Sequence, residues 1–261
     1  MRREVTKKLQ TEEIKILSKV HDFCKKNGLT YYLSGGTLLG AVRHQGFIPW
    51  DDDIDIVMPR KDYDFFIKNV QEFLGDDYFL QTVITDKHYG RSFAKIRKNN
   101  TIFLEEVDKH VEGRHHGIFI DVFPLDSCKK NWSKYVKFKW KISSAIDSYI
   151  TVKRGGLKTS KKHFFFRLFP IKMLYKIMQK LRKGKGDYYY FSFSGILDKS
   201  WFEPAIELPF DGEKFVAPKH YDIILTQTYG DYMQIPPVEK QITHNPVRLS
   251  FDLNGPDEIM D

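Results

Sequence analysis

Residues 50–57, with the sequence WDDDIDIV, place four carboxylates within five positions and then continue directly into an apolar run. On an extended strand Asp53 and Asp55 project from one face, about 6 to 7 Å apart, and the isoleucines beside them project from the other. Two carboxylates on one face, completed by water and phosphate oxygens, suit Mg²⁺ or Mn²⁺. The stretch therefore predicts a strand with a divalent-metal site for phosphate chemistry. The alternative is a solvated acidic patch, which describes Asp51 and Asp52 at least as well as metal ligation does.

A third aspartate interrupts an otherwise apolar run, GIFIDVFPLD, at residues 117–126. An ionised Asp121 in a buried strand is costly unless it meets a metal ion or a basic side chain. We therefore expect Asp121 to join Asp53 and Asp55 as a metal ligand. The alternative is a salt bridge to a basic residue such as Arg97.

A glycine turn, SGGT at residues 34–37, follows a short apolar strand and opens a helix of small residues. Backbone N–H groups at such a turn, together with the helix N-terminus, can hold a phosphate. The turn lacks the Gly-Lys-Ser/Thr ending of a P-loop, and taken alone it is more simply an ordinary turn. Because Asp-Ile-Asp and a later strand aspartate follow it, Gly35 and Gly36 are candidates for phosphate binding.

The positive charge of the chain is concentrated in one segment. Of its 42 lysines and arginines, 18 lie between Lys129 and Gly186, where Asp147 is the only acid. This segment therefore carries +17, although the whole chain carries +8, and it predicts a basic, aromatic-rich insertion with an anionic partner. In its clearest helix apolar residues occupy one face and lysines the other. The pattern is compatible with three roles for this helix. They are contact with an anionic membrane surface, packing on the catalytic domain, and binding of a free glycan polymer.

The run SGGTLLGAVRHQGFIPWDDDIDIVMPR, residues 34–60, resembles the signature of the LicD family within the nucleotidyltransferase superfamily. Further similarity lies in GIFIDVFPLD, in the strand from Lys95 to Arg97, and in PKHYDIILTQTYGDYMQIPP at residues 218–237. The spacer from Gly36 to Asp53 is longer than in many members of that superfamily. The resemblance covers roughly residues 28–126 and 200–245.

The resemblance implies a phosphotransferase that moves a phospho-alcohol, phosphocholine first among the candidates, from a CDP-alcohol donor and releases CMP. The acceptor is a hydroxyl of a cell-surface glycan, such as lipopolysaccharide or teichoic acid, or of its lipid-linked precursor. Asp53, Asp55 and Asp121 are implied to be catalytic and to bind Mg²⁺ or Mn²⁺. Substrate-binding roles, with a surface charge or core packing as the alternative, are implied for Gly35, Gly36, Arg43, His44, Trp50, Arg91, Lys95, Arg97 and His244.

The order of predicted elements indicates an α/β (α+β) protein in which helices flank a small mixed sheet, and the resemblance implies that this sheet is nucleotidyltransferase-like. We expect residues 1–128 plus 196–261 to form the catalytic domain and residues 129–195 to form the basic helical insertion. The predicted helices are Val5–Lys26, Thr37–Arg43, Lys61–Leu74, Ile171–Lys183 and Tyr221–Tyr229. The predicted strands are Leu29–Leu33, Ile54–Met58, Tyr78–Val83, Arg91–Arg97 and Gly117–Phe123, and the region around Pro204, Pro209 and Pro218 is expected to consist of loops.

Two other functions share parts of these patterns. A glycine turn with Asp-Ile-Asp also occurs in nucleotidyltransferases that adenylate or uridylylate small molecules. Basic aromatic stretches such as KYVKFKW, residues 134–140, occur in proteins that bind nucleic acids or other anionic polymers. No RNA-binding motif accompanies that stretch, so we expect no nucleic-acid partner. The long motif between the glycine turn and the aspartates favours the LicD-type reaction.

Composition predicts a cytoplasmic protein, with peripheral contact at the inner face of the membrane as a further possibility. With 29% charged residues the chain has no apolar run of the roughly 18 residues that a membrane span requires. Its first residues, MRREVTKKLQTEE, are charged rather than signal-like. The two cysteines, Cys24 and Cys128, are too few for a disulfide framework, and we expect both to be core thiols.

Overall fold

Seven strands form a curled mixed sheet that brings the acidic stretch and the third aspartate together. The computed structural model describes residues 3–191, 194–241, 243 and 245–258. The helices are α1 (Arg3–Asn27), α2 (Gly35–His44), α3 (Arg60–Leu74), α4 (Lys134–Arg154), α5 (Ile171–Arg182) and α6 (Tyr221–Tyr229). The strands are β1 (Tyr32–Leu33), β2 (Asp55–Pro59), β3 (Tyr78–Gln81), β4 (Ala94–Lys98), β5 (Ile102–Leu104), β6 (Phe119–Cys128), β7 (Tyr188–Phe191), β8 (Gly195–Asp198), β9 (Ile206–Phe210), β10 (Glu213–Ala217) and β11 (Arg248–Ser250).

Strand β6 is the centre of the sheet. It pairs in parallel with β2 and antiparallel with β4, and the strand order β1-β2-β6-β4-β3 completes the main part. At its far end β6 also pairs antiparallel with β7, which pairs with β8. The ten residues of β6 therefore connect the acidic stretch to the basic segment.

The two faces of the sheet have different neighbours because side chains alternate along each strand. Ile54, Ile56 and Val122 belong to the main core, which also contains the apolar faces of α1 and α3. Val57 and Phe123, from the alternate positions, belong to a second core with residues of β7, β8 and α6. Since Asp55 and Asp121 alternate with the first set, they lie on the second face.

The basic segment contains a small core of its own. On α5, Leu174, Tyr175 and Met178 are buried against α4, whereas the lysines of the same helix are exposed. The apolar face of α5 therefore packs mainly within the segment. This leaves several large apolar residues outside that core with more than half of their surface exposed: Tyr135, Phe138, Leu157, Phe164, Phe165 and Leu168.

The predicted α/β architecture is confirmed, and the five predicted helices occur within about two residues of their expected bounds. The region expected to consist of loops instead contains the hairpin of β9 and β10. Its two-residue turn, Asp211-Gly212, has positive φ at both positions, the geometry that Asp-Gly favours between paired strands. Pro209 is compatible with β9 because this hairpin has only two strands, so both are edge strands. Both cysteines are buried and unbridged.

A buried ion pair joins α3 to β6. Arg60 donates from Nε and Nη2 to the two carboxylate oxygens of Asp126, at 2.7 and 2.9 Å, and both residues are less than 10% exposed. Arg60→Met would leave the Asp126 carboxylate buried without its partner. We expect the free energy of unfolding to fall by about 3 to 5 kcal/mol.

Chemical denaturation of Arg60→Met and of the exposed neighbour variant Lys61→Met measures this loss. The Lys61 variant is expected to change stability by less than about 0.5 kcal/mol. Equal stability of the two variants would show that the ion pair does not hold α3 on the sheet.

Candidate active site

Parallel pairing of β2 with β6 places Asp55 directly beside Asp121, since the two are register partners. On the other side of β6, Lys95 is the register partner of Asp121. The ammonium Nζ of Lys95 lies 2.8 Å from Asp121 Oδ1 and 3.0 Å from Oδ2. The basic side chain that pairs with Asp121 is therefore Lys95 and not Arg97.

The loop before β2 adds three more carboxylates. Oxygens of Asp51, Asp52 and Asp53 lie within 4.8 Å of one another, and Asp52 is only 1% exposed. The sequence pattern left Asp51 and Asp52 open between solvated loop charge and metal ligation, and the structure groups both with Asp53. The expected strand face of Asp53 does not form, because β2 begins at Asp55.

The glycine turn lies against these carboxylates. A side chain on Gly35 would place its Cβ 3.0 Å from Asp55 Oδ2, and one on Gly36 would place its Cβ 2.7 Å from Asp51 Oδ2. The N-terminus of α2 thus approaches the acids closely, and its dipole favours negative charge there. Thr37, in the first turn of the helix, fixes this arrangement by accepting a hydrogen bond from the Asp55 N–H at 2.8 Å.

Burial raises the pKa of both strand aspartates. Burial is the largest cause that raises the pKa of Asp55 well above its usual value, followed by the charges of Asp53 and Asp121. Burial also raises the pKa of Asp121, although Lys95 opposes the shift. Partial burial and the nearby aspartates raise the pKa of Tyr229, at the end of α6, to about 12, although 45% of its surface is exposed. The sequence patterns did not single out Tyr229, although it lies in the family-like stretch at residues 218–237.

Helix α1 contributes a buried glutamate that sequence reasoning also missed. Glu13 is 1% exposed, and its Oε2 has no hydrogen-bond partner in the structure. Burial, and then the charges of Asp53 and Asp52, raise the pKa of Glu13 well above its usual value of 4.5. One turn earlier, Gln10 donates to the backbone oxygen of Asp51 at 2.9 Å. In the sequence, Glu13 is marked only by its position with Gln10 on a face of the first helix that is otherwise mostly apolar.

This donor set fits a divalent cation. Its carboxyl groups are oxygen donors of the type that Mg²⁺ and Mn²⁺ prefer, and Glu13 Oε2, buried beside them, has no hydrogen-bond partner among the described residues. Lys95 and Arg97 provide two positive charges beside Asp121. The carboxyl groups that interact electrostatically here outnumber these two charges, since there are six of them: Glu13, Asp51, Asp52, Asp53, Asp55 and Asp121.

Comparison with known proteins identifies the family of the chain. Residues 28–151 match the LicD/FKTN/FKRP nucleotidyltransferase domain. Over 252 residues the chain is 31% identical to the lipopolysaccharide cholinephosphotransferase LicD of Haemophilus influenzae, which covers 89% of this chain and 92% of that protein. The chain belongs to the LicD family. It is accordingly a phosphotransferase, as the resemblance implied.

Two further relatives match shorter parts of this LicD family member. An uncharacterised protein of Rickettsia typhi is 38% identical over 130 residues, which is 50% of this chain and 39% of that protein. The human ribitol 5-phosphate transferase FKRP is 59% identical over 29 residues, 11% of this chain and 6% of that protein. No helix in the described part of the chain is both long and apolar enough to span a membrane.

Other residues implied by the LicD resemblance lie farther from the aspartates. Arg43 and His44 end α2, about 12 Å along the helix from Gly35. Arg43 Nη1 donates to the backbone oxygens of Tyr232 and Gln234, at 2.7 and 3.3 Å, and so holds the segment after α6. Burial lowers the pKa of His44, and the charge of Arg43 lowers it further.

Of the implied substrate-binding residues, Trp50 and Arg97 make structural contacts, and Arg91 lies before β4. Trp50 packs against the main core, the alternative that its aromatic ring allowed. Arg97 is 1% exposed and donates to Gln81 and to the backbone oxygen of Gly117, while Arg91 is half-buried ahead of β4. His244 lies outside the described residues.

The raised pKa of Glu13 makes stability depend on pH. The folded protein keeps a proton on Glu13 at a pH where the unfolded chain has released it, so stability falls as the pH rises above about 4.5. Glu13→Gln removes this penalty of up to about 1.4 kcal/mol per pH unit. We expect the melting temperature of the variant, measured with metal chelated, to rise above that of the wild type progressively from pH 5 to pH 8.

Glu72→Gln, which changes an exposed glutamate of α3, is the matched control and should follow the wild type at every pH. Each kcal/mol corresponds to about 2 to 4 °C in a chain of this size. If the melting temperatures of wild type and Glu13→Gln change with pH in the same way, the pKa of Glu13 is not raised in the folded protein.

Proposed function

We propose that this protein transfers phosphocholine from CDP-choline to a hydroxyl of lipopolysaccharide or its lipid-linked precursor and releases CMP. The observation that carries the proposal is the register pairing of Asp55 with Asp121 beside the glycine turn, in a family member 31% identical to a lipopolysaccharide cholinephosphotransferase. Transfer within a diphosphate needs compensation of negative charge more than it needs a covalent intermediate. The carboxylate cluster is suited to bind Mg²⁺ or Mn²⁺, which would neutralise the negative charge of the diphosphate.

In the proposed reaction the acceptor oxygen bonds to the phosphorus that carries choline. The bond from that phosphorus to the oxygen shared with CMP breaks, and CMP leaves with the bonding electrons. Asp121 accepts the proton of the attacking hydroxyl, a role favoured by its raised pKa. Lys95 holds the Asp121 carboxylate in place from the opposite strand. A divalent cation held by Asp53, Asp55 and Asp121 would neutralise charge on the diphosphate.

The first test measures CMP release with Mg²⁺, a lipopolysaccharide acceptor and a panel of CDP-alcohols. We expect transfer with CDP-choline, loss of activity with a chelator, and recovery with Mg²⁺ or Mn²⁺. Asp55→Asn and Asp121→Asn should each slow transfer at least about 10³-fold, because the compensation of transition-state charge is lost.

Asp76→Asn, at an exposed position between α3 and β3, is the control and should transfer at the wild-type rate. Circular dichroism and thermal melting establish that the variants are folded. Near-wild-type transfer by Asp55→Asn or Asp121→Asn would remove that residue from the site. Transfer of a nucleotide from ATP or UTP to a small molecule, without reaction of any CDP-alcohol, would favour the nucleotidyltransferase alternative.

A peripheral position at the cytoplasmic face of the membrane would bring the enzyme to a lipid-linked acceptor. Phe164, Phe165 and Leu168 are 68%, 64% and 69% exposed in the basic segment. The lysines of α5 are exposed as well, and each Lys or Arg near an anionic leaflet contributes up to about 1 kcal/mol. Apolar side chains that insert and lysines that attract anionic lipids act together in interfacial binding.

Co-sedimentation with liposomes tests this position. We expect binding to anionic but not zwitterionic vesicles, weakening as salt rises, because charge attraction is screened. Changing Lys172, Lys176 and Lys180 together to Glu should abolish binding. The equal charge change at Lys25, Lys26 and Lys68, which are exposed elsewhere, should reduce it little. Wild-type protein that stays in the supernatant with anionic vesicles at low salt would show that the basic segment does not bind membranes.

A further inference from the structure

A cavity of about 270 Å³ lies between the catalytic sheet and the basic segment. Strands of the sheet and elements of the basic segment each supply part of its wall. This volume is just below the roughly 300 Å³ at which pockets for drug-sized ligands begin, so the cavity suits a small group better than a nucleotide. Five aromatic rings line it: Phe93, Phe123, Trp140, Tyr190 and Phe191.

Four of the aromatic rings lie in two close pairs. The centroids of Phe93 and Phe123 are 4.3 Å apart, and those of Trp140 and Tyr190 are 4.5 Å apart. The Phe191 ring extends the first pair, since its centroid lies 5.6 Å from that of Phe123. Such rings attract a cation through the negative potential of their faces, most strongly where the cation is desolvated.

The cavity is the next position along the sheet from the aspartates. Phe123 follows Asp121 by two residues and projects from the same face of β6, which places it about 6.8 Å farther along the strand. Phe93 lies immediately before the neighbouring strand β4, two residues ahead of Lys95, and the Lys95 ammonium lies 5.7 Å from the Phe93 ring. Only two carbons separate the phosphate oxygen from the nitrogen in a choline phosphate. A phosphoryl group at Asp121 therefore leaves the nitrogen within reach of the cavity.

Both carboxylates that the described residues bring to the cavity wall are already engaged, and the wall also contains the guanidinium of Arg182, which lies 5.7 Å from the Trp140 ring centroid and is neutralised by Asp147. Asp126 accepts two hydrogen bonds from Arg60, and Asp147 accepts from Arg182 at 2.8 Å and from the Ser92 hydroxyl at 3.1 Å. A primary ammonium would bring three N–H donors that need acceptors, and leaving them unmet is costly. A quaternary ammonium has no N–H to satisfy, so aromatic faces suffice for it.

We propose that this cavity, the headgroup pocket, binds the quaternary ammonium group of the alcohol that the enzyme transfers. The inference rests on the proposed function for the identity of the alcohol. It assigns a binding role to Trp140 and Tyr190, which belong to the basic segment. In this assignment the basic segment completes the donor site and selects choline over ethanolamine.

Calorimetric titration of the intact protein with phosphocholine, phosphoethanolamine and CMP, in the presence of Mg²⁺, tests the pocket without turnover. We expect phosphocholine to bind the wild type more tightly than phosphoethanolamine. Trp140→Ala and Tyr190→Ala should each weaken phosphocholine binding about tenfold or more, the loss expected for a desolvated cation–π contact, and leave CMP affinity unchanged. Trp140→Phe, which keeps an aromatic face, should retain most of the affinity.

Phe165→Ala, which removes an exposed aromatic ring of the same segment outside the pocket, is the matched control. It should leave both phosphocholine and CMP affinity unchanged. Thermal melting of each variant confirms that the pocket wall is folded, and Trp140→Phe provides an informative variant even where Trp140→Ala is destabilised.

Kinetics provide a second readout, the ratio of kcat/KM for CDP-choline to that for CDP-ethanolamine. The ratio should fall in Trp140→Ala and Tyr190→Ala. An unchanged ratio together with unchanged phosphocholine affinity would overturn the pocket, although choline transfer itself would stand. A loss of CMP affinity in Trp140→Ala would also overturn it, by assigning the cavity to the cytosine base. Wild-type protein that binds phosphocholine in the pocket but transfers no CDP-alcohol would instead refute the proposed function alone.

Discussion

The pairing of β2 with β6 is the contact on which the site depends. It places two carboxylates side by side on one face of a buried sheet, where their repulsion opposes folding unless positive charge is near. Lys95 supplies that charge from the next strand, and the N-terminus of α2 supplies a favourable dipole from the glycine turn. The remaining excess of negative charge is the physical basis of the proposed metal site.

This arrangement explains why several otherwise unremarkable residues are small or polar. A side chain at Gly35 or Gly36 would displace the carboxylates, and Gly35 also has a positive φ of 55° that favours glycine. The Thr37 hydroxyl then anchors the start of β2 to the helix. On the opposite side, Gln10 and Glu13 interrupt the apolar face of α1 where it passes beneath the aspartate loop. The acidic loop is therefore supported from both sides.

The basic segment has its own small core and also extends the catalytic sheet by one strand pairing. Its helices bury apolar residues mainly against each other, while β7 extends the sheet by pairing with β6 beyond the aspartates. Because β6 carries Asp121 near one end and reaches β7 at the other, a single strand links the proposed phosphoryl position to the aromatic cavity. The exposed lysines and the aromatic cavity are therefore two separate surfaces of this segment, and we propose an anionic partner for the first and a small cation for the second.

Sequence by itself determined the kind of chemistry and most of the regular elements. The periodicity of apolar residues predicted α1, α3, α5 and the central strands, and the motif from the glycine turn to the aspartates predicted the family, because these signals are local. Local patterns did not predict β7 or β8, because β7 forms a strand by pairing with β6 and β8 by pairing with β7. They also did not predict the hairpin of β9 and β10, because the prolines of this region suggested loops.

Tertiary structure alone decided which charges meet. Nothing in the local pattern distinguishes Lys95 from Arg97 as the partner of Asp121, because both alternate onto the same face of β4 and only the register of β4 with β6 selects between them. The same holds for Glu13 and Tyr229, which reach the aspartates from helices distant in sequence. The aromatic cavity likewise exists only where β4, β6, α4 and β7 converge, since contacts between residues far apart in the chain depend on the packing of whole elements and leave no short motif.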